Sequence, residues 1–147
     1  MARMIRKVEA FARRGVALEN DRWSWGGFRS DGTLVLQVWS DDFRKLETGT
    51  WAVQIGYPEG DDPSVTEHER LRPGSKERER HIAAIRSGAI QVIELLKGHA
   101  IDFTASPRET EGIDADRYGI GGHLVTFNGA AWIECVKWEA FKRWVPR

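Results

Sequence analysis

The stretch NDRWSWGGFRSDGTLVLQVWSDDF, residues 20–43, limits what this chain can fold into more than any other. Two β-prone runs, RWSWGGFR and TLVLQVW, flank Ser30-Asp31-Gly32, and Asp-Gly between such runs predicts a hairpin. The turn length then decides what the sheet buries, because a one-residue slip moves every side chain to the other face. With a three-residue loop, Arg29 pairs with Thr33 and Trp23 lies opposite Trp39. Trp23, Trp25, Val35, Gln37 and Trp39 then share one face, and Phe28, Leu34, Leu36 and Val38 share the other. With a two-residue turn, Trp23 and Trp25 join Leu34, Leu36 and Val38, and Trp39 faces away with Gln37. The sequence leaves both registers open. The first makes an aromatic platform; the second makes most of the indoles ordinary core.

Around this hairpin the periodicity predicts an α+β domain. Met4, Ile5, Val8, Phe11 and Ala12 form a helical stripe over residues 3–14, with Gly15 as its stop. TWAVQIGY alternates, placing Trp51, Val53, Ile55 and Tyr57 on one buried strand face. PEGDDPS reads as a loop. RPGSKERERHIAAIRSG predicts a second helix, with Ser75 as N-cap, Ile82, Ala84 and Ile85 as its apolar face, and Gly88 past its end. The β-branched residues of AIQVIELL favour a strand there. GGHLVTF and AWIECVKW form a second hairpin about Asn128-Gly129, and the tail FKRWVPR closes the sheet. The expected architecture is one domain over residues 1–147. It has two packed helices and six or seven strands in a curved, mostly antiparallel sheet or small β-barrel.

Composition narrows the function classes. The chain has 147 residues, 22 basic and 22 acidic, so it lacks the positive excess of a nucleic-acid coat. The charges are segregated, however. Basic groups gather at Arg3, Arg6, Lys7, Arg13 and Arg14 and again from Arg70 to Arg86, with an acidic stretch from Glu59 to Glu69 between them. Solvated helix surfaces are the common reading of such runs, and a basic face on a neutral protein is the other. No apolar run is long enough for a membrane span, and the N-terminus lacks a secretory core. The lone Cys135, in an alternating strand, reads as a buried inert thiol, and a cytoplasmic location is expected.

The constellations for catalysis are weak. His68, His81, His99 and His123 fall in no metal-ligand spacing, and TEHER and KERERH read as charged surface. No nucleophile elbow or phosphate loop is present. The expectation is therefore no catalytic set, no metal and no cofactor. The tryptophans carry the functional expectation instead. An indole stacks on a nucleobase for roughly 1–3 kcal/mol, and Arg22, Gln37, Ser40, Asp41 and Asp42 supply polar groups beside Trp23, Trp25 and Trp39. A carboxylate at Asp41 is placed to accept from an exocyclic amine; the bland alternative is a cap for the next segment.

Several spaced motifs together resemble a known group. NDRWSWG followed by LQVWSD, then PGSKERERHIAAIRSG, AIDFTASPRE and the closing pair IGGHL and AWIE, resemble small bacterial PUA-like modules. Those modules are similar to domains found with HNH-type and modification-dependent restriction systems. The similarity spans residues 15–135, although the segment ETEGIDADRYG departs from the usual pattern and no HNH motif is present. The resemblance implies a nucleic-acid or nucleotide partner, with Arg22, Trp23, Trp25, Trp39, Asp41, Asp102 and Arg108 as the carried-over residues. In that reading a base, modified or not, rests on the indoles, Asp41 reads its edge, and Arg22 and Arg108 meet phosphates. Two rivals stand beside it. One is a protein-interaction or homodimerisation domain anchored by tryptophans. The other is a small hydrolase or nuclease holding a metal with Asp41, Asp102 and a histidine.

Overall fold

A computed structural model describes residues 3–56, 73–105, 108–127 and 129–146. Along the chain run β1 (Met4–Ile5), α1 (Lys7–Ala12), β2 (Gly26–Phe28), β3 (Leu34–Trp39), β4 (Phe43–Lys45) and β5 (Trp51–Gln54). They are followed by α2 (Pro73–Arg86), β6 (Ile93–Ala100), β7 (Thr110–Asp114), β8 (Arg117–Phe127) and β9 (Ala130–Ala140). The strands join into one nine-stranded sheet, antiparallel except where β3 lies parallel to β6. A parallel neighbour requires a long crossover, and the chain between β3 and β6 supplies it, α2 included.

The first hairpin adopts the three-residue loop. Gly26 pairs with Leu36 and Phe28 with Leu34, and the Arg29 amide donates to the Thr33 carbonyl at 2.8 Å. Turn chemistry explains the choice: Gly32 has φ +88°, and Asp31 Oδ1 accepts from the Thr33 amide at 2.9 Å. The second hairpin sets Phe127 opposite Ala130, with Gly129 at φ +75°.

β3 lies at the centre of the fold. Leu34, Leu36 and Val38 enter a core with Val53, Ile55, Ile82, Ile93, Leu95 and Ile133. On its other face Val35 packs with Leu96, Ile113 and Phe11 and Ala10 of α1. The sheet must curl to build the first core. Four strand steps separate β3 from β5 (through β6, β8 and β9), roughly 19 Å if flat at 4.8 Å per step. Residues of the two strands nevertheless approach within 8 Å. Among the described residues no ladder joins the sheet's ends, so it curls without closing into a barrel. Ile82 of α2 packs into the core beside Gly56, where a Cβ would lie 2.7 Å from Ile82 Cδ1. None of the described helices is long and apolar enough to cross a membrane.

Several expectations are corrected. The N-terminal helix is shorter than residues 3–14, because Met4 and Ile5 instead pair with Asp114 and Ile113 at an open sheet edge. Gly15, at φ +76°, does end it. Ser75 lies inside α2, which already includes Pro73, a residue suited to a first helical turn. Trp51 is 51% exposed, since it stands at the start of β5 beyond the core. The tail after Ala140 adds no strand; its aromatics pack on arginines of the N-terminal region. The PEGDDPS loop, Tyr57 and His68 lie outside the described residues.

One polar cluster is buried with this framework. Glu94 of β6 accepts from Arg14 Nη1 at 2.9 Å and from Arg29 Nη2 at 2.8 Å, all three side chains being largely shielded from water. Removing the shared carboxylate leaves two guanidiniums facing each other in a low-dielectric setting. Glu94→Gln is expected to lower the unfolding free energy by about 3 kcal/mol in urea titrations. Asp31→Asn, at an exposed partner of Arg29, is expected to cost under about 1 kcal/mol. Equal effects from the two variants would contradict this account.

Candidate functional site

The three-residue register places Trp25, Gln37 and Trp39 on one side of the β2–β3 pair, as that register requires. Trp25 and Trp39 meet edge to face, with centroids 5.5 Å apart and planes at 86°. Trp23 does not join them across the sheet. β2 begins only at Gly26, and residues 21–23 form a turn whose Asn20 Oδ1 accepts from the amides of Arg22 and Trp23. Arg22 is exposed there, and its carbonyl accepts from Lys7 Nζ at 3.5 Å. Burial lowers the Lys7 ammonium to about 8, against the opposing pull of Glu77.

The start of α2 clamps this turn. Once β2 has left the edge of β3, the backbone groups there need other partners. Gln37 N donates to the Trp25 carbonyl at 2.7 Å, and Arg78 Nη2 donates to the Gln37 carbonyl at 2.9 Å. Glu77 accepts from the Trp25 amide at 2.6 Å and from Ser24 Oγ at 2.8 Å. Gly74 fits because it has no side chain; a Cβ there would stand 2.8 Å from the Trp23 carbonyl and 2.9 Å from Trp25 Nε1. Arg78 also lies over the Trp25 ring, 4.9 Å from its centroid.

Glu77, Arg78 and His81 are buried, which corrects the reading of KERERH as charged surface. A usable signal was present in the spacing. Gly74, Arg78 and Ile82, with Glu77, His81 and Ile85, recur at i, i+4, so the charged residues occupy the helix face that Ile82 turns to the core. Charge identity hid that face, because an isolated sequence does not show which carboxylate or carbonyl waits opposite.

The far end of β3 carries the second half of the site. Arg108 donates to both oxygens of Asp41, at 2.8 and 3.0 Å, and its Nη1 is 3.7 Å from Asp42. Its Nε donates to the Phe103 carbonyl, and the guanidinium lies 5.8 Å from the Trp39 centroid. Arg108 thus occupies the space beside Trp39, and Asp41 is engaged with it rather than standing alone. Burial first, then Asp41, raises the Asp42 carboxyl above its ordinary value, while Arg108 opposes the shift. Trp39 itself is only 9% exposed. Gln37 is fully buried against Gly98; its Oε1 accepts from Thr110 Oγ1 at 3.3 Å, and its Nε2 has no partner among the described residues. Asp102 stands apart. It is exposed and accepts from the amide and hydroxyl of Thr104, as a local turn cap does.

Of the residues expected from sequence, Trp25, Gln37, Trp39, Asp41 and Arg108 come together; Trp23 and Arg22 flank them, and Asp102 does not take part. No protein-family model, curated protein or solved structure matches the chain. Among the described residues, no three of His, Cys, Asp or Glu gather where they could hold a metal. Asp41, Asp102 and the described histidines are thus not gathered into a metal-holding set. Cys135 is buried, and burial raises its thiol above the ordinary value.

His81 gives this region a pH signature. It lies edge-on to Phe28 at 5.6 Å, and burial, followed by Arg78 and Arg80, lowers its imidazole to about 4. The unfolded chain takes up a proton at this residue near 6.5, before the folded one does. Stability from the neutral ring is therefore present above 6.5 and lost as pH falls toward 4. Urea titrations of wild type against His81→Leu are expected to differ in slope across this window, with about 2–3 kcal/mol of wild-type stability lost specifically to His81. Parallel curves would contradict a buried neutral imidazole.

Proposed function

We propose that this chain is a nucleic-acid- or nucleotide-binding module that seats an unstacked base at Trp25 and Trp39. The observation that carries the reading is the edge-to-face indole pair bordered by two guanidiniums, Arg78 over Trp25 and Arg108 beside Trp39. Aromatic faces interleaved with arginine suit a ligand that is both planar and anionic.

The magnitudes favour exchange at Arg108. Its pair with Asp41 is partly open to water, and such pairs are worth about 0–1 kcal/mol. A base stacked on an indole contributes roughly 1–3 kcal/mol. A ligand phosphate would take Arg108 from Asp41, free the carboxylate for a donor on the base edge, and open the Trp39 face. Arg78 and Glu77 stay in place, because they carry backbone hydrogen bonds of the fold. The likeness in sequence to PUA-like modules of bacterial restriction systems adds a candidate context, defence or nucleic-acid surveillance, and makes a modified base the first ligand to try.

Tryptophan fluorescence titration with single-stranded oligonucleotides, methylated and unmethylated, at low salt tests the proposal. Binding is expected, and Trp39→Ala is expected to weaken it by about 1–3 kcal/mol. Binding that Trp39→Ala leaves unchanged removes the indole site, and no binding at low salt ends the proposal.

A second reading, self-association, is favoured by a different surface. Trp51, at the start of β5, leaves a large indole 51% exposed. Sedimentation velocity over a hundredfold concentration range is expected to show a dimer that Trp51→Ser abolishes; a monomer throughout would exclude it.

A further inference from the structure

The turn end of the first hairpin lies about 20 Å along β3 from Trp39, at roughly 3.3 Å per residue. A cavity of about 710 Å³ opens there, within the roughly 300–1,000 Å³ range of small-ligand sites. Arg29 of the turn, Glu94 of β6, Tyr118 of β8, and Lys142, Arg143 and Trp144 of the C-terminal segment line it.

The C-terminal segment is held in place by specific contacts. Arg13 lies 3.9 Å from the Phe141 centroid, Arg29 lies 5.4 Å from that of Trp144, and the Trp144 amide donates to the Arg13 carbonyl at 3.3 Å. Trp144 also packs against Gly15, where a Cβ would overlap its ring. An aromatic wall is therefore preformed.

The charges at the cavity do not balance locally. Glu94 is shared by Arg14 and Arg29, and Asp31 is engaged by Arg29 and the Thr33 amide. The anions lining the cavity are thus already engaged. Lys142 and Arg143 are exposed and make no direct ion pair or hydrogen bond among the described residues, although Lys142 is near enough to Glu139 to help lower its carboxyl. Two adjacent cations free of direct ion pairs, beside an indole and a phenol, favour a compact dianion attached to a flat ring. A phosphate monoester is such a dianion near neutral pH, and guanidinium and ammonium groups donate to it in charge-assisted hydrogen bonds.

We propose that this cavity is a second ligand site that takes a nucleoside monophosphate, with its phosphate at Lys142 and Arg143 and its base against Trp144. The inference does not rest on the Trp25–Trp39 reading, and the two sites use separate residues.

Isothermal titration of the full chain with adenosine monophosphate, adenosine and inorganic phosphate tests it. Adenosine monophosphate is expected to bind, with each fragment at least about tenfold weaker. The combined Lys142→Ala/Arg143→Ala variant, at exposed positions that leave the core intact, is expected to lose about tenfold or more in affinity. Because the indole site is itself proposed to take nucleotides, the same titration is made in the Trp39→Ala background, where the binding that depends on Lys142 and Arg143 is expected to remain. The proposal is overturned if adenosine monophosphate does not bind at millimolar concentration. It is equally overturned if inorganic phosphate binds as well as the nucleotide, if the double variant binds normally, or if Trp39→Ala abolishes binding.

Discussion

The structure depends on the enclosure of β3. This six-residue strand is buried on both faces and needs partners on both edges, since an unpaired backbone group in that setting costs as much as a lost hydrogen bond. The parallel ladder with β6, from Leu34–Ile93 to Trp39–Gly98, satisfies one edge. The other is divided. β2 covers its first half, and Trp25 with Arg78 of α2 covers the residue beyond. Because the strand cannot move without breaking one of these layers, its two ends are rigid places on which to build a site.

The same enclosure explains why charged residues are buried in a chain with a modest apolar content. At the turn end, Glu94 joins Arg14 from beyond α1 to Arg29 of the hairpin. At the tryptophan end, Glu77 and Arg78 join α2 to the departing strand. Each cluster connects segments distant in sequence where apolar side chains would leave backbone or guanidinium groups unsatisfied. Buried ion clusters add little net stability compared with a well-packed apolar alternative. Their value here is orientation: Arg78 and Arg29 are held against Trp25 and Trp144 by bonds to groups other than the rings.

Much of the fold was legible in the chain. Turn chemistry marked both hairpins, alternation marked β5 and β9, and Gly15 and Gly88 marked helix ends at positive φ. The candidate site was legible in part. Trp25, Gln37 and Trp39 follow from one register, and Asp41 follows from its position after β3. The partner of Asp41 is 67 residues away, so only a family likeness pointed to Arg108, and its bond to the carboxylate was not foreseen. Trp23 and Asp102 were assigned to the site by motif, whereas local turns account for the backbone of one and the carboxylate of the other.

The sequence by itself determined much of the local alphabet: the longer strands, the two helices, their glycine stops, and two permissible registers for the tryptophan hairpin, but not the short strands β1, β4 and β7. Those features arise from φ preferences, side-chain period and turn hydrogen bonds, all acting within a few residues. Only the tertiary structure decided that β3 lies parallel to β6 and that the sheet curls without closing. It also decided that Glu77, Arg78 and His81 face inward and that the indoles keep arginines as neighbours. These depend on which edges and charges meet across long loops, and no short window of sequence contains both partners.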